Sequence, residues 1–130
     1  MHLPSLQPRD HQPTAGKLYT QLYNFSLVVC RHPRSGKFLL CQEFSNQGFW
    51  LPGGAVDGGE TLTSAAVRET KEEAGLDVIL KGILALEYNP CGRISRDDND
   101  YLVRLRVVFY AEPSPEAMNT FPKRYSACVL

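Results

Sequence analysis

The chain reads as a single mixed α/β domain, a sheet with one helix set between its strands, and three features carry that reading. Its 130 residues suit one domain. Four apolar, β-prone runs, at 25–32, 37–44, 78–88 and 101–112, are separated by turn and loop signals. Between the second and third of them, over 61–74, the pattern turns helical. Strand, strand, helix, strand, strand is the order of a layered arrangement around a sheet.

Residues 1–20 read as a loose arm, since Pro4, Pro8 and Pro13 interrupt them and no apolar core of secretory-signal length is present. The domain is expected over 21–130. FSLVVCRH and KFLLCQEF flank Pro33-Arg34-Ser35-Gly36, which predicts a hairpin, with His32 capping its turn. A short aromatic piece, Phe49-Trp50-Leu51, leads into a flexible loop bearing Gly53, Gly54, Gly58 and Gly59. The helix is expected from an N-cap at Thr61 to Ala74, with Gly75 as its stop. At 100° per residue, Thr63, Ala66, Val67, Thr70 and Ala74 form its apolar stripe. Two further strands follow, with an exposed loop over 89–100 between them. From about 113 the tail is atypical. Pro113, Pro115 and Pro122 break any long helix and no amphipathic stripe follows. Either the fold closes with an unusual tail, or this is a shortened form of a longer protein. The second case leaves a sheet face bare as an apolar patch, with a homodimer as one consequence.

Lys+Arg and Asp+Glu both number 14, for a net charge of 0. A binder of duplex nucleic acid is usually basic, so none is expected. No apolar run has the length of a membrane span, so no membrane partner is expected. The four cysteines form no C-x-x-C pair. Cys30 and Cys41 lie in apolar runs and read as reduced core thiols, which favours a cytoplasmic setting.

The chemistry concentrates on the helix. Glu69, Glu72 and Glu73 fall together beside the apolar stripe, at i, i+3 and i+4. Glu69 and Glu73 are like charges one turn apart, which costs an isolated helix a few tenths of a kcal/mol. From 57 to 76, five acidic residues face two basic ones. A Glu-rich solvated surface is the plain alternative. Clustered hard oxygens, however, are what Mg²⁺ takes, with Mn²⁺ as the alternative ion. The glycines just upstream let backbone groups approach a ligand closely.

Gly54 to Leu76 reads GAVDGGETLTSAAVRETKEEAGL. It resembles the signature of the Nudix hydrolases: Gly, five residues, Glu, seven residues, Arg-Glu, an apolar residue, any residue, Glu-Glu, any residue, Gly, an apolar residue. Gly54, Glu60, Arg68, Glu69, Glu72, Glu73, Gly75 and Leu76 fill their slots. Thr70 stands where an aliphatic residue is usual, on the apolar stripe, where its methyl can still pack. Trp50-Leu51-Pro52-Gly53 resembles the usual lead-in.

The resemblance implies an α/β/α sandwich with a mixed β-sheet, short here at its C-terminus. It implies a Mg²⁺-dependent hydrolase that cleaves the phosphoanhydride of a nucleoside di- or triphosphate or a derivative, damaged nucleotides being the favoured guess. An ADP-ribose or nucleotide-sugar diphosphatase is the first alternative. A non-catalytic nucleotide-binding or regulatory domain is the second, and a role at an RNA cap gains no support from the neutral charge. On this resemblance Glu69, Glu72 and Glu73 hold the metal, joined by the Gly54 carbonyl. Arg68 orients a carboxylate, and Glu60 steadies the loop against the helix. Glu69 or Glu73 is the first choice as general base, with Glu112 and Glu116 as later ones. Phe44, Phe49 and Trp50 are candidates for stacking on a base, though aromatics beside an apolar strand are more often core. Arg93, Arg96 and Arg104 are candidates for phosphate or ribose, though solvated charge is the commoner role. Pro90 reads as loop punctuation.

Overall fold

The computed structural model describes residues 19–43, 47–93 and 100–122, with the backbone alone at 19, 93 and 100. Strand β1 (Tyr19–Cys30) is the first element. Two short strands, β2 (Cys41–Gln42) and β3 (Phe49–Trp50), pair only with each other. Then come β4 (Gly53–Ala55), helix α1 (Leu62–Ala74) and the two long strands β5 (Val78–Arg93) and β6 (Asp100–Pro113). The main sheet runs in the order β4-β1-β6-β5. It is mixed, as expected: β1 is parallel to β6 and antiparallel to β4, and β5 is antiparallel to β6.

The helix begins and ends where the sequence places its caps. Thr61 takes an extended conformation, and its hydroxyl accepts from the Ser64 N–H at 3.1 Å. The Ser64 hydroxyl accepts from the Thr61 N–H at 3.0 Å, which closes a capping box. Gly75, at φ +67°, ends the helix and donates to the Lys71 carbonyl. Ala65, Ala66, Thr70 and Glu73 are its buried residues, while Thr63, expected on the apolar stripe, is exposed. The buried arc is thus rotated away from Thr63 toward Ala65, and Glu73 falls inside it. Small residues let α1 lie close to the sheet. The Thr70 hydroxyl donates to the Ala66 carbonyl at 2.8 Å, so a threonine is tolerated in the aliphatic slot. At the other end of the helix, the buried Ser26 of β1 donates to the Leu62 carbonyl at 2.7 Å.

The core joins Val28 and Cys30 of β1 and Val107, Phe109 and Ala111 of β6 with Ala66 of α1, Leu39, Leu76, Ala117 and Phe121. Ala117 and Phe121 come from the segment after β6, which turns through a short 3₁₀ helix, Met118–Thr120, and packs back onto the sheet. Burial pushes the Cys30 thiol up to about 12, with the charge of Glu112 adding to the effect. Cys30 and Cys41 are buried in the core, as the sequence reading expects; Cys128 lies outside the described residues.

Three expectations change. The hairpin turn at 33–36 forms, and the Ser35 N–H donates to His32 Nδ1 at 3.1 Å, so His32 does cap it. The second strand of that hairpin shrinks to Cys41–Gln42, because both edges of β1 are taken by β4 and β6. Residues 53–55, read as flexible loop, form β4 instead. The glycines there serve close approach, Gly53 of the β1 backbone and Gly54 of the Glu69 carboxylate. Strand β5 continues through 89–93, read as loop. It is an edge strand, where Pro90 is tolerated, and a bulge follows between Pro90 and Gly92. Leu22, Ile83, Leu86 and Tyr88 of the sheet are each about half or more exposed. Among the described residues no helix is long and apolar enough to cross a membrane.

Candidate active site

Arg68 sits at the centre of the acidic cluster and spends its whole guanidinium on it. Its Nε and one terminal nitrogen grip Glu60 bidentately, at 2.8 and 3.0 Å. The same terminal nitrogen donates to the Ala55 carbonyl at 3.1 Å and lies 3.7 Å from Asp57. Its other terminal nitrogen donates to Glu69 at 2.8 Å and to Glu72 at 3.2 Å. The fork therefore ties the loop after β4 to two carboxylates of α1. Hydrogen bonds from Arg68 hold the Glu60 carboxyl below its usual range. In return, Glu60 and then Glu69 strengthen the guanidinium's hold on its proton. Glu60 also accepts from the Asp57 N–H at 3.1 Å, which fixes the turn before the helix.

Glu73 faces a different environment. It is 8% exposed, and its carboxylate accepts from the Gly53 N–H at 3.0 Å. Burial raises its affinity for a proton, and the charges of Glu69, Glu43 and Glu72 add to that against the Gly53 hydrogen bond. Glu43 is the residue the sequence reading missed. It lies outside the signature, and only the pairing of β2 with β3 brings it back to the helix. No local signal marks it.

Gly54 explains itself by what it excludes. A Cβ there would lie 2.5 Å from the carboxyl carbon of Glu69. Only glycine lets the main chain and that carboxylate meet with no side chain between them. The cluster also keeps its charge. Lys71, the second base of the segment, pairs outward with Asp77 at 2.6 Å. Asp57, Glu60, Glu69, Glu72 and Glu73 are thus set against a single guanidinium.

The donor set suits a hard divalent cation, with carboxylate oxygens and a side-chain-free glycine backbone side by side. Among the described residues no three acidic groups already converge as ligands. Glu69 and Glu72 are instead gathered by Arg68.

The remaining candidates are dispersed. Glu112 contacts Tyr110 and Lys81 at the end of β6, and Glu116 is exposed in the segment that follows. Arg104 lies in mid-sheet, half-buried, opposite Tyr23 and Asn89. Phe49 and Trp50 are exposed rather than core. Phe44, Arg96 and the side chain of Arg93 lie outside the described residues.

Replacing the buried charge should stabilise the metal-free fold. Glu73→Gln keeps an acceptor for the Gly53 N–H and removes repulsion from three neighbouring carboxylates. A rise in Tm of a few degrees at neutral pH is expected, by thermal melts in EDTA. Because the folded state binds the Glu73 proton more tightly than the unfolded chain does, the wild type is penalised only where Glu73 is ionised. The gap between variant and wild type therefore closes as pH falls through the carboxylate range. A constant gap would contradict a charge-based cause.

Residues 22–125 match the profile of the NUDIX domain. Among curated proteins, Nudix hydrolase 10 of Arabidopsis thaliana is 43% identical over 60 residues, covering 45% of this chain and 20% of that protein. The ADP-ribose pyrophosphatase of Methanocaldococcus jannaschii is 37% identical over 75 residues, covering 55% of this chain and 42% of that one. The chain thus spans less than half the length of either. Among solved structures, a Nudix hydrolase from Nitrosomonas europaea superposes with a TM-score of 0.56 at 20% identity, over 82% of this chain and 66% of the other. At that identity the likeness speaks for the fold.

Proposed function

The chain belongs to the Nudix family, and on that premise we propose that it hydrolyses the phosphoanhydride of a nucleoside diphosphate derivative or a nucleoside triphosphate. The observation that carries this reading is the cluster of five carboxylates, four around the single fork of Arg68 and Glu73 on the Gly53 N–H, with Lys71 diverted to Asp77. A binding module has no need of so much concentrated negative charge beside an anionic ligand. A site that takes a divalent cation together with a diphosphate does.

Glu69, Glu72 and Glu73, with the Gly54 carbonyl, would hold Mg²⁺ or Mn²⁺. Bound there, the ion supplies charge neutralisation for the diphosphate and Lewis acidity toward water and phosphoryl oxygen. The rest is done by this chain. Arg68 fixes Glu69 and Glu72, and Glu60 fixes Arg68. Water attacks one phosphorus, the bridging P–O bond breaks, and two phosphate products leave while the water's proton passes to a carboxylate. Glu69 and Glu73 are the carboxylates proposed for that proton. Glu69 is engaged by the guanidinium, whereas Glu73 accepts only from the Gly53 N–H among the described residues.

ADP-ribose is the first substrate to test, since the Methanocaldococcus jannaschii relative is named for it. It belongs in a panel with canonical and oxidised nucleoside triphosphates, UDP-glucose and diadenosine polyphosphates. Release of phosphate-containing products is expected from at least one member, dependent on added Mg²⁺ and abolished by EDTA. Disturbing a residue that merely supports a metal ligand costs about 10- to 100-fold, so Glu72→Gln is expected to lose about 100-fold or more. Absence of turnover from folded, monodisperse protein would favour the non-catalytic, nucleotide-binding alternative.

A further inference from the structure

Trp50 is 51% exposed and Phe49 41% exposed, and neither joins the core. Large aromatic rings usually account for much of a core's buried area. Here the exposure is built in, because the ribbon that carries them is well anchored. Trp50 lies across from Cys41, which is 6% exposed. Past the strand ends, the Glu43 N–H donates to the Gly48 carbonyl at 2.9 Å. The buried Pro52 accepts from the Val28 N–H at 2.9 Å.

This ribbon borders the carboxylate site from both of its strands. One residue beyond β2, Glu43 is near enough for its charge to be felt at Glu73. From Trp50 the chain runs through Leu51 and Pro52 to Gly53, whose N–H holds Glu73. Three residues span at most about 11 Å. Trp50 therefore lies within about 11 Å, backbone to backbone, of the residue that holds Glu73.

We infer that Trp50 is the platform on which the nucleobase of the substrate stacks while its diphosphate lies against Glu69, Glu72 and Glu73. The inference rests on the reading of the site as a nucleotide hydrolase and adds the element that selects nucleosides over base-free diphosphates. Every base has a π face, so the platform discriminates weakly among bases. Phe49, next in a strand, points to the opposite face of the ribbon and is not part of it.

Trp50 is the chain's single tryptophan, so its emission reports on the platform directly. Titration of the full chain with ADP is expected to quench it, and titration with pyrophosphate is not. Trp50→Ala is expected to raise KM for the nucleotide that is turned over by about 10- to 100-fold. Its kcat should stay within about twofold, as for a contact made equally in ground and transition states. Trp50→Phe should restore most of the affinity. Phe38→Ala, which removes an exposed aromatic from the segment after the β1 turn, should leave KM unchanged. Emission unmoved by ADP, or a wild-type KM in Trp50→Ala, would overturn the platform even where turnover is intact. Quenching by ADP without turnover of any nucleotide would keep the platform and remove the hydrolase reading.

Discussion

Arg68→Lys is expected to lower kcat/KM by about 10- to 100-fold although the positive charge is retained. The loss is geometric. The guanidinium makes two bonds to Glu60, one to Ala55, one to Glu69 and one to Glu72, all from one plane. A lysine ammonium is a point charge with three donors, and it cannot reach the loop and both helix carboxylates at once. Released from the fork, Glu69 and Glu72 would swing apart under their own repulsion, and a displacement of about 1 Å in such a site is enough for a loss of this order. Glu60→Gln should weaken activity through the same contact. The double variant Arg68→Lys/Glu60→Gln should then cost little more than Arg68→Lys alone, since the two side chains act as a unit. Steady-state kinetics on the best nucleotide of the panel measure all three. Activity of Arg68→Lys within a factor of two of wild type would remove the guanidinium from this role.

Gly53→Ala is expected to destabilise the fold by about 3 kcal/mol, enough to lower Tm by roughly 10 °C or to prevent folding at 37 °C. A Cβ at this position would lie 2.3 Å from the Ser26 carbonyl oxygen and 2.7 Å from the Leu27 Cα, both backbone atoms that cannot step aside. Its φ of +154° adds a conformation that side chains rarely adopt. Relief would require β4 to leave β1, breaking the Val28–Pro52 hydrogen bond and withdrawing the Gly53 N–H from Glu73. Gly58→Ala is the matched control. Nothing lies within 4 Å of a Cβ there, and its Tm should stay within a degree or two of wild type. Denaturation midpoints for the two variants decide the point, and equal stability would show that β4 can slide on β1.

The helix was legible in the sequence because its information is local. Thr61, Ser64 and Gly75 act on neighbours within one turn, and the spacing of Arg68, Glu69, Glu72 and Glu73 is fixed by the helix itself. What the sequence left out was set by tertiary contact. Glu73 was legible as a candidate metal ligand, but its burial under Gly53 follows only from the rotation of the buried arc. Glu43 became a neighbour only through a two-residue ribbon that no periodicity announces. The glycines at 53 and 54 suggested freedom, whereas one admits the backbone of β1 and the other the carboxylate of Glu69. The second strand of the hairpin was misread for a related reason. An apolar run says that a segment is buried, not which edge of the sheet is still open to receive it.

The position of β1 between β4 and β6 also sets the order in which the domain can be built. Its twelve-residue parallel ladder with β6 joins positions roughly eighty residues apart, so a long loop must close before that ladder forms. The Gly53 cradle leans on Ser26 and Leu27 of that same strand. On a ribosome, therefore, the segment bearing the acidic cluster emerges well before the strand that completes the sheet. The helix can form early from its own caps, and β4 can pair with β1 without waiting for β6, since Phe25 and its partner Ala55 are closer in sequence. Closure of the sheet is thus the late event in folding, whereas the contacts of the acidic cluster, to β4, the loop after it and the helix itself, can form before it.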